Sequence, residues 1–145
     1  MLRDQRGRVL VGKRIDMKSD AWQMPQGGID GGEQPEQALW RELREEVGTD
    51  KAEIVAQSRD WLTYEFPADL QPKLWRGRYR GQAQKWFLLR FLGADADLDL
   101  DAHTDREFSE VRWVEPTELA ELIVGFKRDL YRRVLDEFAA HLKRR

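Results

Sequence analysis

The chain has 145 residues, a length typical of one domain with a single packed core. Its 25 Lys and Arg residues against 27 Asp and Glu give a formal net charge of −2, so any polyanion must be held by local basic groups. With no cysteine and two histidines, disulfides and thiolate metal ligands are excluded, and oxygen ligands suited to hard metal ions remain.

The N-terminal residues predict a β-hairpin. Met1 and Leu2 are followed by a polar turn at 4–7 and by the apolar run 9–11. The first arm is short, because two apolar residues cannot form half of a stable hairpin. We therefore expect Met1 to be an internal residue of a longer strand, so that this sequence holds a truncated first strand.

The sequence carries no membrane signal. No apolar run approaches the roughly 20 residues that a membrane span needs. The first residues also lack a basic segment followed by an apolar stretch. These features predict a cytoplasmic protein with no membrane partner.

A glycine-rich loop leads into the best-defined helix. Residues 16–33 are rich in Gly and Pro, which predicts a loop. The helix is predicted from about Gln34 to Val47, because Pro35 suits the first helical turn and Gly48 suits the left-handed cap that ends a helix.

The remaining segments complete an α+β pattern. The last of them repeats an apolar residue every four positions, as an amphipathic packing helix does. We find no internal repeat and no linker, so we predict one α+β domain over residues 1–145, with helices packed against a mixed sheet. The predicted strands are 52–58, 61–66, 85–92 and 111–114, and the predicted helices are 116–124 and 126–142.

Three acidic residues share one face of the helix that follows the glycine loop. At 100° per residue, Glu42, Glu45 and Glu46 cover an arc of only about 100°. Like charges three and four positions apart destabilise a bare helix, and a bound divalent metal ion would compensate for this repulsion. The alternative is a solvated acidic face paired with Arg41 and Arg44.

The segment from the glycine loop to the end of the helix, about 27–49, resembles the Nudix box. Thr49 is the one departure, because the family usually has an aliphatic residue there. The positions that match the fixed residues of the box are Gly27, Glu33, Arg41, Glu42, Leu43, Glu45, Glu46 and Gly48.

This resemblance implies an α/β/α sandwich that hydrolyses phosphoanhydride bonds. In the family, the residues at Glu42, Glu45 and Glu46 hold Mg²⁺ or Mn²⁺, and the loop at Gly27 belongs to the same site. The resemblance further implies that Glu33 and Arg41 brace the loop against the helix. All three metal-binding glutamates are present, which argues against a catalytically silent Nudix module.

The wider sequence is similar to bacterial RNA pyrophosphohydrolases and dinucleoside polyphosphate hydrolases. The leading implication is removal of pyrophosphate from the 5′ end of triphosphorylated RNA. The alternative is asymmetric cleavage of diadenosine tetraphosphate to ATP and AMP, and the shared segments do not separate the two. Neither reading involves DNA, and no oligomeric state is predicted. The similar segments are 22–30, 58–64, 81–89 and 126–134.

The same resemblance nominates residues beyond the box. Glu107 matches a loop glutamate that completes the metal site or acts as a base in these enzymes, and the alternative is that it is an ordinary surface glutamate. The catalytic candidates are therefore Glu45, Glu46 and Glu107. Proton transfer by a carboxylate contributes about 10²- to 10⁴-fold in rate, so Glu107 should matter more for turnover than for folding. The substrate-binding candidates are Arg14, Gln84 and Lys85 for the phosphates, and Tyr79, Val124, Phe126 and Lys127 for a nucleotide.

Overall fold

A computed structural model describes residues 1–15, 22–26, 28–29, 31–65, 81–102, 106–123 and 127–142. Within these residues no helix has the length and apolar character needed to cross a membrane. The strands are β1 (Leu2–Arg3), β2 (Val9–Arg14), β3 (Trp22–Gln23), β4 (Ala52–Gln57), β5 (Leu62–Glu65), β6 (Gly81–Gln84), β7 (Phe87–Phe91) and β8 (Phe108–Val114). The α-helices are α1 (Pro35–Val47), α2 (Pro116–Leu122) and α3 (Arg128–Phe138).

The main sheet is mixed and is organised around β2. Its order is β3-β2-β1-β7-β4, and β8 pairs with β2. Strand β2 is antiparallel to β8 along its whole length, to β1 at its start and to β3 at its end. Strand β1 runs parallel to β7, whereas β5 and β6 form a separate antiparallel pair. The predicted mixed sheet is confirmed.

Both faces of the main sheet are covered by helices. Alternate side chains of a strand point to opposite faces, so Val9 and Val11 of β2 enter one core while Leu10 enters the other. The first core is closed by α2 and α3, with Leu130 and Val134 fully buried, and the second is closed by α1. This is the predicted α/β/α sandwich.

Helix α1 follows the predicted bounds closely. Its first turn contains Pro35, and the chain leaves the helix at Gly48, which has a φ of 75°. A Cβ at Gly48 would also lie 2.4 Å from the backbone oxygen of Asp99, so both backbone conformation and close approach require glycine. Leu43 and Val47 are buried against the sheet, and the polar Glu46 is buried beside them.

The chain changes sheets between β6 and β7. The predicted strand 85–92 corresponds to β7, whereas β6, which ends at Gln84 and pairs with β5 outside the main sheet, was not predicted. At the break, the backbone N–H of Trp86 donates to Ser58 Oγ at 3.1 Å and the Ser58 N–H donates to the Trp86 carbonyl at 2.8 Å. An apolar run does not show such a switch. The two-residue β3, inside the predicted loop, is too short to give a periodic signal.

Gly12 of β2 allows the ring of Phe108 to pack directly on the strand. A Cβ at this position would lie 2.5 Å from two carbons of that ring, and Phe108 is fully buried. We expect Gly12→Ala to lower the free energy of unfolding by about 1–3 kcal/mol, because the core has no room for the added methyl group. Urea denaturation measures this. The control is Gly31→Ala, where nothing lies within 4 Å, and equal effects of the two variants would contradict the packing argument.

Candidate metal and active site

Three carboxylates from two elements meet at one end of the sandwich. Glu42 and Glu46 lie one turn apart on α1, and Glu107 immediately precedes β8. Each offers an oxygen, and the three oxygens lie within 4.8 Å of one another. The Glu107 carbonyl accepts the N–H of Ile15 at 2.9 Å, so the pairing of β8 with β2 extends to Glu107. This group could hold a divalent metal ion, since such ions favour carboxylate ligands.

Glu46 is the most deeply buried member of the cluster. It is 2% exposed, and neither of its carboxylate oxygens has a hydrogen-bond partner among the described residues. Burial raises its pKa well above the usual 4.5, and the neighbouring charges of Glu107 and Glu42 raise it further. A buried carboxylate with both oxygens unpartnered is unstable as a free anion, and a cation in the cluster would supply the missing partner.

Glu42 is half-buried, and its surroundings shift its pKa in opposite directions. Burial raises its pKa, while a hydrogen bond from Arg41 lowers it and the charges of Glu45 and Glu107 raise it again. The Arg41 Nη1 to Glu42 Oε1 distance is 2.8 Å. Glu42 is thus tied to an arginine on one side and faces the carboxylate cluster on the other.

Arg41 connects the glycine loop, the start of α1 and the cluster. Its Nε and Nη2 donate to the two oxygens of Glu33 at 2.8 and 2.9 Å, which is the paired geometry that a planar guanidinium favours. Nη2 also donates to the carbonyl of Gly28 at 2.8 Å. These contacts join the two parts that Glu33 and Arg41 were predicted to brace.

Glu45 is not a member of the three-carboxylate group. Its Oε2 accepts a hydrogen bond from Arg41 Nη1 at 3.3 Å, and its side chain is 34% exposed. The shared arc of the helix therefore does not bring all three box glutamates to one point among the described residues. The third carboxylate of the group, beside those of Glu42 and Glu46, is that of Glu107.

Four of the substrate-binding candidates lie among the described residues. Arg14 pairs with Phe108 in the sheet, one residue from Glu107. Gln84 Nε2 lies 3.5 Å from Gln26 Oε1, and Lys85 Nζ lies 3.4 Å from the Arg59 carbonyl. Lys127 Nζ lies 3.5 Å from Gln23 Oε1. The predictions at Gly27, Tyr79, Val124 and Phe126 lie outside the described residues.

A cavity of about 430 Å³ opens beside the carboxylates. Glu42 and Glu46 line it together with Gln84 and Lys85, and two apolar side chains in its lining, Ile29 and Trp61, are 44% and 49% exposed. Ile29 lies in the predicted loop and Trp61 at the start of the predicted strand 61–66, and neither has a periodic pattern around it that indicates its exposure.

Because the pKa values of Glu46 and Glu42 are raised, the stability of the metal-free protein should depend on pH. A carboxyl group whose pKa is higher in the folded state than in the unfolded state stabilises the fold below the unfolded value, and loses this contribution as pH rises through the folded value. For Glu46 and Glu42 the loss begins above about pH 4.5. We expect their contribution to the melting temperature in EDTA to fall as pH rises above this value.

Mg²⁺ should oppose this loss, because a metal ion binds the ionised carboxylates. At 100 times its Kd the ion adds about 2.7 kcal/mol to the free energy of unfolding. Melting curves with Mg²⁺ and with EDTA at each pH measure the difference, which should widen as pH rises. Comparison with Glu46→Gln separates this effect from other titrating groups. A difference independent of pH would contradict the assignment of the cluster.

A sheet between two helical layers, with a glycine loop and carboxylate-bearing helix beside a cavity, is the architecture expected of a Nudix hydrolase. The family model described as NUDIX domain matches residues 1–134, and the chain belongs to this family. An RNA pyrophosphohydrolase of Roseobacter denitrificans is 56% identical over 144 residues, covering 98% of this chain and 89% of the relative. An RNA pyrophosphohydrolase of Novosphingobium aromaticivorans is 57% identical over 141 residues, covering 95% and 88%.

Solved structures support the same fold. A crystal structure of a C. elegans Ap4A hydrolase binary complex superposes with a TM-score of 0.65 at 18% identity, covering 97% of this chain and 95% of the other. The E. coli dihydroneopterin triphosphate pyrophosphohydrolase gives a TM-score of 0.67 at 22% identity, covering 91% and 88%. At these identities the likeness concerns the fold alone.

Proposed function

We propose that this protein is a divalent-metal-dependent pyrophosphohydrolase that removes pyrophosphate from the 5′ end of triphosphorylated RNA. Water is consumed, the bond between the α- and β-phosphates is broken, and a 5′ monophosphate remains on the RNA. The observation that carries the proposal is the converging group Glu42, Glu46 and Glu107 in a chain more than half identical to RNA pyrophosphohydrolases along nearly its whole length.

The residues around the cluster fit a bound Mg²⁺ or Mn²⁺. The unpartnered oxygens of Glu46, with Glu42 and Glu107 nearby, form an oxygen-rich donor set of the kind that hard cations favour. A cation bound there would neutralise charge on the phosphate oxygens and help to activate water. A ligand role for Glu45 and for the Gly27 backbone remains part of the proposal. The cytoplasmic location also stays a prediction.

The other candidate residues take their proposed roles from the family resemblance, and Gln84 and Lys85 also line the cavity. Arg14, Gln84 and Lys85 would contact the polyphosphate, because a chain of net charge −2 needs local hydrogen-bond donors and cations for a polyanion. Lys127 would contact the nucleotide, as would Tyr79, Val124 and Phe126. Glu33 and Arg41 would hold the glycine loop against α1 through their paired contacts.

Hydrolysis of diadenosine tetraphosphate is the second candidate. An Ap4A hydrolase is among the similar structures, and both reactions bring a polyphosphate to the same carboxylates. At 18% identity, however, that likeness does not extend to substrate, whereas the relatives named RNA pyrophosphohydrolase are 56% and 57% identical. The first candidate is therefore the better supported.

The two substrates should be compared side by side with Mg²⁺. We expect kcat/KM on a 5′-triphosphorylated RNA to exceed that on diadenosine tetraphosphate by about ten-fold or more, a difference in transition-state stabilisation of about 1.4 kcal/mol. Chromatography should find pyrophosphate and monophosphorylated RNA. A preference for diadenosine tetraphosphate, with ATP and AMP as products, would overturn the assignment of substrate but not the class of reaction.

Glu107→Gln should separate catalysis from folding. We expect the rate on triphosphorylated RNA to fall by about 10²- to 10⁴-fold, because the variant loses a carboxylate that binds metal or transfers a proton. The melting temperature should be unchanged or slightly higher, since Glu107 is exposed and its charge opposes ionisation of Glu46. The matched control is Glu110→Gln, an exposed glutamate three residues along β8. Equal activity in the two variants would remove Glu107 from the site.

A further inference from the structure

A buried tyrosine on α3 makes a long-range hydrogen bond to the segment that leads into the glycine loop. The hydroxyl of Tyr131 accepts the backbone N–H of Met24 at 3.0 Å, and both residues are 0% exposed. The bond joins residues 107 positions apart in sequence. Because a buried N–H without a partner is strongly destabilising, this hydroxyl fixes where the backbone of Met24 can lie.

The segment 22–26 in turn borders the carboxylate cluster. Two residues after Met24, Gln26 lines the same cavity as Glu46. Two residues further, the carbonyl of Gly28 accepts the 2.8 Å bond from Arg41. A shift of Met24 would therefore be transmitted within a few residues to the cavity wall that includes Glu46 and to the carbonyl that Arg41 contacts.

The ring of Tyr131 is itself held in place. It packs edge-on against Trp86, with ring centroids 5.8 Å apart and an interplanar angle of 81°. Trp86 is 4% exposed and lines the cavity beside Glu46. The hydroxyl thus has a fixed direction, set by the core on the face of the sheet opposite to α1.

We propose that Tyr131 is a positioning residue, whose hydroxyl holds the Met24–Gln26 backbone so that the glycine loop and Glu46 are set for metal binding. The proposal deepens the proposed function and rests on it for its kinetic consequence. Its direct consequence is for metal affinity, which is measurable without turnover. Tyr131 acts through Met24 and is not assigned a contact with substrate.

The test compares Tyr131→Phe with Val134→Ala in the full chain. The first variant keeps the ring and removes only the hydroxyl, whereas the second weakens the same core from the next turn of α3 without touching a polar contact. We expect Tyr131→Phe to raise the Kd for Mn²⁺, followed by electron paramagnetic resonance, by about five-fold, as the loss of one hydrogen bond implies. On triphosphorylated RNA, kcat should fall about five- to ten-fold and KM should stay within about two-fold.

Val134→Ala should keep the Mn²⁺ affinity and kcat of the unmodified protein when both variants are assayed well below their melting temperatures. An equal loss in the two variants, or an unchanged Mn²⁺ affinity in Tyr131→Phe, would overturn the positioning role. If the unmodified protein releases no pyrophosphate from RNA, the proposed function fails, and the Mn²⁺ titrations still decide the role of Tyr131.

Discussion

Glu46→Gln is expected to lower hydrolysis of triphosphorylated RNA by on the order of 10³-fold, while raising the melting temperature of the metal-free protein. The loss of activity follows from the proposed role of Glu46 as a metal ligand, since a bound metal ion contributes several kcal/mol to transition-state stabilisation. The gain in stability follows because the variant no longer carries a buried group whose ionisation opposes folding. Steady-state kinetics and melting curves in EDTA at neutral pH measure the two effects.

The effect of Glu46→Gln on the melting temperature should also depend on whether Mg²⁺ is present. Mg²⁺ should raise the melting temperature of the unmodified protein much more than that of Glu46→Gln, because the amide is a weaker ligand. Glu36→Gln is a suitable control, since this exposed glutamate lies in the first turn of the same helix. Near-normal turnover of Glu46→Gln with Mg²⁺ would show that the metal assignment is wrong.

Arg41→Lys is expected to lower both stability and activity, although it keeps the positive charge. A lysine cannot reproduce the paired contacts with Glu33 while also reaching Gly28 and Glu42. We expect a loss of about 1.5–3 kcal/mol in the free energy of unfolding, the scale of a hydrogen bond to a charged group. Activity should fall about 10- to 100-fold, as it does when a residue that orients metal ligands is lost.

Arg44→Lys provides the matched comparison on the same helix. Arg44 is more than half exposed and pairs with Asp50 at 3.8 Å, so its replacement should change stability by less than about 0.5 kcal/mol. Urea denaturation and kinetics on triphosphorylated RNA apply to both variants. If Arg41→Lys behaved like Arg44→Lys, the guanidinium geometry would have no role in organising the site.

The sequence predicted α1 well because its limits are set by local chemistry. Pro35 at the start and Gly48 at the end restrict the backbone whatever surrounds them, and the structure has α1 at Pro35–Val47. The break between β6 and β7 was not predicted, because it depends on the pairing of Trp86 with Ser58, a contact across the fold. Such contacts leave no periodic pattern in either segment.

The candidate site, too, was predicted from sequence only in its local part. Spacing placed Glu42, Glu45 and Glu46 on one arc of a helix, but an arc fixes only the direction in which a side chain starts. Glu45 shares the Nη1 of Arg41 with Glu42, but its carboxylate is not among the three that converge. Glu107 could be nominated only by resemblance, since nothing in its local sequence indicates that β8 would carry it to the end of α1.

The pairing of β2 with β8 sets the order in which the molecule can assemble. This ladder joins residues about a hundred positions apart, so its loop-closure entropy is among the largest in the fold, and contacts of this kind slow folding. On the ribosome, the α1 carboxylates emerge long before Glu107 does. The carboxylate cluster can therefore be completed only after Glu107 has left the ribosome, and a divalent ion bound there would stabilise the finished fold without nucleating it.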